Sequence, residues 1–120
     1  MQHDLKCIES TERNRNMLIP WVLMAQYLYY YRDETIMSDG VFDTISRRLH
    51  AEWDSIEHIH KSAIAPYVVG GKPQLERFEY PVMSRGAACR LAGIEIDLEM
   101  TNEDKIIFDK KESGGIFDFF

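Results

Sequence analysis

The segment from Tyr27 to Asp43, YLYYYRDETIMSDGVFD, constrains the fold more than any other part of the chain. Four of its first five residues are tyrosines, and a short turn separates them from a second segment that opens at Ser38. Serine favours the start of a helix, because its hydroxyl accepts a hydrogen bond from a backbone N–H of the first turn. Apolar residues recur at helical spacing on both sides of the turn. The segment therefore predicts a helix, a turn and a second helix, with aromatic rings and carboxylates at the corner.

The tyrosines and carboxylates of this segment keep a fixed spacing without a gap: Tyr29, Tyr30, Asp33, Asp39, Phe42 and Asp43. In this spacing, roughly residues 20–58 resemble the small N-terminal domain, called Ia, of bacterial NAD-dependent DNA ligases. The chain departs from the family pattern where Phe42 replaces a tyrosine and Thr35 replaces the usual proline. Tyr30 stands where many members of the family have histidine.

That domain of the ligases holds the nicotinamide mononucleotide half of NAD. The resemblance implies that Tyr29 and Tyr30 supply ring contacts and that Asp39 and Asp43 accept hydrogen bonds from the ligand. Phe42 would still stack on a ring, although it lacks the hydroxyl. The chemistry agrees, because a cationic ring is attracted to tyrosine faces and carboxylates are strong acceptors for hydroxyl groups. The alternative is that the tyrosines form a packed seam between two helices.

The motifs of catalysis are missing from the sequence. The adenylating domain of these ligases carries Lys-x-Asp-Gly, whereas the single Asp-Gly of this chain, Asp39-Gly40, follows Met37 and Ser38. We therefore predict a non-enzyme with no catalytic residues and no required cofactor, for which NMN or NAD would be a ligand only. A His-x-His pair, His58 and His60, lacks a third strong ligand, so we predict no metal site.

Composition limits the remaining choices. A chain of 120 residues with 45% hydrophobic residues predicts one globular domain. Its net charge of −6 argues against direct binding to duplex DNA and favours protein partners or a small molecule. The two cysteines, Cys7 and Cys89, suggest no disulfide framework, which predicts a cytoplasmic protein, or host-cytoplasmic if the source is a virus. No stretch is apolar over the ~18 residues that a membrane span requires.

The pattern of the whole chain predicts an α+β fold. We expect a helical N-terminal half, then a short helix and a small β-hairpin, within one domain at 1–112 whose ligase-like helices cover about 12–57. The predicted elements are a polar lead-in at 1–10, a helix at Thr11–Arg32 with a restart at Pro20, a helix from Ser38 to Glu57, a helix at Arg85–Ala92 ended by Gly93, and strands at Ile94–Met100 and Lys105–Phe108.

The tail at 113–120 ends the sequence with four large apolar side chains after Gly114-Gly115: Ile116, Phe117, Phe119 and Phe120. It resembles the short peptides by which polymerases and replication accessory proteins hold sliding clamps, although Ser113 stands where those peptides often have glutamine. Late-transcription factors of large bacteriophages have comparable tails. Burial of each such side chain is worth roughly 1.5–3 kcal/mol, so the tail should dock on a partner, on a second copy, or on its own domain.

Three functions remain open. We favour a non-catalytic accessory protein on the ligase-like scaffold that binds replication or transcription machinery, such as a sliding clamp or polymerase, through its tail. The alternative is a binder of NMN, NAD or a related nucleotide through the tyrosine and aspartate residues. The third is a residual enzyme, for which the sequence offers no nucleophile or base.

Overall fold

The computed structural model of the chain describes residues 3–96, and these residues are helical with no β-strand. Short 3-10 turns separate several of the helices, and a π-helix at Leu28–Arg32 directly follows the second one. The α-helices of the described part are α1 (Asp4–Arg13), α2 (Leu18–Tyr27), α3 (Asp39–Ala51), α4 (Lys61–Val68) and α5 (Val82–Ala92).

Helix α2 forms the centre of the domain, because every one of its residues is buried. A helix that is apolar on all sides has to be surrounded by other elements, and α2 packs mainly against α3 and α5. The amphipathic helix α3 contributes Ile45 and Leu49 to the common core. The largest fully buried apolar side chains are Trp21, Tyr27, Tyr80, Leu18, Ile19, Leu23, Met24, Leu28, Ile36, Ile45 and Leu49.

The prediction of an α+β fold is wrong for the described residues. Ile94, the first residue of the predicted strand, instead completes the end of α5: its N–H donates to the carbonyl of Cys89. Gly93 is left-handed at φ 69°, and its N–H donates to the carbonyl of Arg90. These two bonds form a Schellman motif, in which an apolar residue after the glycine packs back on the helix. The remainder of the predicted hairpin, from residue 97 onwards, lies outside the described residues.

The N-terminal lead-in was also predicted wrongly, since α1 begins at Asp4. Its buried side chains, Cys7 and Thr11, are one turn apart, while its larger apolar residues, Leu5 and Ile8, are exposed, so the buried stripe does not stand out in the sequence. The predicted long helix from Thr11 is therefore divided at Asn14, whose side-chain oxygen accepts a hydrogen bond from the N–H of Asn16. The restart at Pro20 is confirmed, because Pro20 lies in the first turn of α2.

The helix ends that the sequence marks with special residues agree with prediction. Ser38 caps α3, with its hydroxyl accepting from the N–H of Val41 at 3.3 Å. Helix α5 ends at Gly93 as expected, although it starts at Val82, three residues before the predicted start. Helix α3 ends at Ala51, before the predicted Glu57.

None of the helices within residues 3–96 is both long and apolar enough to cross a membrane. The predicted domain boundary at 112 lies outside the described residues and stays a prediction.

Candidate functional site

A cavity of about 560 Å³ lies at the corner between α2, the π-helix and the start of α3. All five residues that the sequence nominated for ligand binding line it, although they come from two helical segments joined by a loop. The lining residues are Ala25, Gln26, Tyr29, Tyr30, Thr35, Ile36, Met37, Asp39, Gly40, Phe42 and Asp43.

The π-helix at Leu28–Arg32 sets the direction of the tyrosines. It ends at Asp33, which is left-handed at φ 55° and whose N–H donates to the carbonyl of Leu28. Arg32 holds the far end of the π-helix against α5: its guanidinium donates to the Cys89 sulfur at 3.2 Å and to the Glu95 carbonyl at 2.9 Å. π-turns are rare and are frequent at functional sites.

Two of the four tyrosines of the run belong to the core. Tyr27 is fully buried and Tyr31 is half-buried, and both rings pack against Tyr80, with centroid separations of 5.9 Å in each case. The Tyr31 hydroxyl donates to the carbonyl of Leu75 at 2.6 Å. Burial raises the pKa of both Tyr31 and Tyr80, and nearby glutamates add to the effect, so both hydroxyls stay protonated at neutral pH. This half of the run is therefore packed in the core, although its aromatic partner Tyr80 precedes α5 and does not belong to a second helix.

The other two tyrosines face outwards at the cavity. Tyr29 is 60% exposed and Tyr30 is 46% exposed, in contrast to the buried Tyr27. Their rings meet edge to face, with centroids 5.0 Å apart and planes at 90°. The pair thus offers one ring face and one ring edge to anything that enters the cavity.

The first two turns of α3 supply the opposite wall. Asp39 and Asp43 lie one turn apart, with Phe42 between them in sequence and packed against the core. Two like charges at this spacing disfavour the helix slightly, but Asp43 has a local counter-charge, since Arg47 Nη2 lies 2.6 Å from Asp43 Oδ2. This wall of the cavity therefore carries a negative charge at Asp39, whereas Arg47 neutralises the charge of Asp43.

The loop between the π-helix and α3 forms the base of the cavity and is attached to α1. Ile36 and Met37 are buried, and the backbone N–H of His3 donates to the carbonyl of Ile36. The Asp4 carboxylate accepts from the N–H of Ser38 at 2.7 Å. Burial alone would raise the pKa of Asp4, but favourable interactions of the carboxylate, among them the hydrogen bonds from Ser38, outweigh it and hold the pKa below its usual value. The ionised Asp4 thereby fixes the start of α3, and with it Asp39.

Sequence analysis missed Gln26. Its side chain is 2% exposed and lies in the cavity wall, and its Oε1 accepts a hydrogen bond from the hydroxyl of Tyr80 at 3.0 Å. A signal was present, since all residues from Leu18 to Ala25 are apolar and Gln26 interrupts that run.

Other chemistry-bearing groups lie away from the cavity. Burial raises the pKa of the Cys7 thiol to about 12, so the thiolate needed for nucleophilic chemistry does not form. Both Cys7 and Cys89 are free and buried. The rings of His58 and His60 are 5.4 Å apart, but residues 3–96 contain no group of three or more potential ligands placed to hold a metal ion. The predicted partner-binding residues Ile116, Phe117, Phe119 and Phe120 lie outside the described residues.

Comparison of the chain with protein-family models, curated proteins and solved structures gives no match.

Proposed function

We propose that this protein is a non-catalytic accessory protein, built on a ligase Ia-like helical scaffold, that binds a nicotinamide nucleotide in its cavity and a protein partner through residues 116–120. The nucleotide-binding part of the proposal rests on one observation. A single cavity is lined by all five candidate residues: Tyr29, Tyr30, Asp39, Phe42 and Asp43. Its volume of about 560 Å³ lies within the usual range of ligand pockets. The two cysteines of the protein are free, which fits a reducing compartment, so we propose that the protein is cytoplasmic.

The chemistry of the two walls matches the two halves of nicotinamide mononucleotide. One of the outward rings of Tyr29 and Tyr30 would present its face to a flat cationic pyridinium ring, and Phe42 lines the same cavity. Such a contact is worth about 0.5–2 kcal/mol. Asp39 and Asp43 line the cavity and would supply carboxylate acceptors for the ribose hydroxyls. Arg47, already held at Asp43, is a cation near the rim for a phosphate group.

Calorimetric titration with NMN and with NAD tests this part of the proposal. We expect micromolar binding by the wild-type protein, weakened about tenfold by Tyr29→Ala because one ring contact is lost. Asp43→Ala should weaken binding to a similar extent through loss of an acceptor. Asp54→Ala, which removes an exposed carboxylate far from the cavity in sequence and not among its lining residues, is the matched control and should bind as wild type. Absence of heat at millimolar ligand would refute nucleotide binding.

The partner-binding part of the proposal, to a sliding clamp, polymerase or similar component of replication or transcription machinery, is supported by a different observation. Four of the five residues from Ile116 to Phe120 are large and apolar, and Gly114-Gly115 precede them. Such a segment suits an anchor that inserts into an apolar groove of a partner, with the glycines as a hinge. The acidic net charge of −6 adds attraction to a basic partner surface.

Deletion of residues 114–120 is expected to lower affinity for a purified sliding clamp at least a hundredfold, because several buried Phe and Ile side chains are lost together. Surface plasmon resonance with immobilised bacterial or bacteriophage clamps measures this change. Tyr29→Ala should retain clamp binding, and the truncated protein should retain NMN binding. Equal clamp affinity before and after truncation would show that this segment is not the anchor.

A further inference from the structure

Gln26 has a hydrogen-bonding arrangement that its neighbours determine completely. The N–H of Leu75 donates to the Tyr80 hydroxyl oxygen at 3.1 Å, and that hydroxyl lies 3.0 Å from Gln26 Oε1. Since the single proton of the hydroxyl points to Gln26, the glutamine must present its oxygen there. Its amide nitrogen, Nε2, therefore points away from Tyr80. The hydrogen bond thereby assigns the oxygen and the nitrogen of the Gln26 amide, which the shape of the group alone does not distinguish.

The amide nitrogen of Gln26 makes no hydrogen bond with any residue in the range 3–96. The side chain is nevertheless 98% removed from solvent, at 2% exposure, and it lies in the cavity wall. Nε2 is not fully enclosed by protein atoms, and because Gln26 lines the cavity, the accessible surface of Nε2 faces it. In the empty cavity water can reach this donor, but a ligand that fills the cavity without offering an acceptor would leave it unpaired, at a cost of about 1–3 kcal/mol. The position of Nε2 beside an aromatic cavity therefore points to a ligand that supplies an acceptor.

We propose that Gln26 is a specificity-determining residue whose Nε2 donates a hydrogen bond to the carboxamide oxygen of the nicotinamide ring. This inference rests on the nucleotide-binding function proposed above. The donor lies on α2 one turn before Tyr29 and Tyr30, so the ring that these tyrosines contact can present its carboxamide to Gln26. Asp39, whose charge no described ion pair balances, disfavours a carboxylate at the same place through charge repulsion. The site therefore selects nicotinamide over nicotinate and over a pyridinium ring that lacks the substituent.

The experiment compares two ligands and three proteins by calorimetry. The ligands are NMN and N-ribosylpyridinium 5′-phosphate, which differs from NMN in lacking the carboxamide. Wild-type protein should bind NMN about tenfold more tightly than the analogue, because the analogue leaves the buried donor unpaired. Gln26→Met keeps the size of the side chain but removes the donor, so it should bind both ligands equally. Gln74→Met, a glutamine replacement away from the cavity, should keep the wild-type preference.

Far-ultraviolet circular dichroism first establishes that Gln26→Met is folded, and Tyr80→Phe, checked in the same way, provides a second readout. Tyr80→Phe lies outside the cavity and releases the Gln26 amide, so it should reduce the preference for NMN while the binding of the analogue persists. If wild type binds both ligands equally, or if Gln26→Met keeps the tenfold preference, the role of Gln26 is overturned and nucleotide binding stands. If wild type binds neither ligand, both proposals fail. Nicotinic acid mononucleotide binding as tightly as NMN would contradict the predicted discrimination against a carboxylate.

Discussion

Replacing Trp21 with alanine is expected to lower the free energy of unfolding by about 3–5 kcal/mol, the usual range for loss of a large buried aromatic side chain. Trp21 is 2% exposed within α2, and its indole N–H donates to the Ser10 hydroxyl at 3.2 Å, which joins α2 to α1. Domains of this size have a total stability of only about 5–15 kcal/mol. The variant should therefore be partly or wholly unfolded at moderate temperature.

Urea titration followed by far-ultraviolet circular dichroism measures this loss without depending on tryptophan fluorescence. Trp53→Ala is the matched control, since Trp53 is half-buried and its ring contacts solvent and the ammonium group of Lys61 at 4.8 Å. We expect Trp53→Ala to be clearly less destabilising than Trp21→Ala. Equal losses for the two variants would contradict the central position of α2 in the core.

Removal of the Tyr80 hydroxyl is expected to lower the free energy of unfolding by about 2–4 kcal/mol, although only one oxygen atom is lost. Tyr80 is fully buried, and its hydroxyl satisfies both the N–H of Leu75 and the carbonyl oxygen of Gln26. In Tyr80→Phe these two buried groups lose their partner together, and each unpaired group costs about 1–3 kcal/mol.

Thermal and urea denaturation of Tyr80→Phe, side by side with Tyr29→Phe, tests this expectation. Tyr29 is 60% exposed and its hydroxyl makes no hydrogen bond within residues 3–96, so its removal should change stability by less than about 0.5 kcal/mol. A Tyr80→Phe variant as stable as Tyr29→Phe would mean that water or a rearrangement replaces the lost hydroxyl.

The part of the candidate site that lies within one continuous segment of the chain could be predicted from the sequence. Tyr29, Asp39 and Asp43 lie on one helix–turn–helix corner, where the Ser38 cap and helical spacing determine which side chains share a face. The separation of the tyrosines into a core pair and a cavity pair was not predictable in the same way. It depends on the π-turn and on Tyr80, which packs on Tyr27 and Tyr31 from a distant part of the chain.

The omission of Gln26 and the wrong strand prediction have different causes. The orientation of Gln26 is fixed by Tyr80, 54 residues away, and no local pattern carries that information. The wrong strand prediction arose because alternation of apolar residues at Ile94 and Ile96 looks the same whether it faces a sheet or the end of a helix. The Schellman motif at Gly93, which uses Ile94 for packing, decided between the two.

The π-helix has a consequence for how chains of this kind can vary in length. A π-turn spans one more residue than an α-turn, so Leu28–Arg32 behaves as a one-residue insertion in a helix that is otherwise continuous with α2. Deleting a single residue there would restore regular winding and rotate all that follows by about 100° relative to α2. Each residue after the deletion would move toward the position of its predecessor, so Tyr31 would leave its core contact with Tyr80. A helix one residue shorter at this point would thus lose the division of its tyrosines into a core pair and a cavity pair.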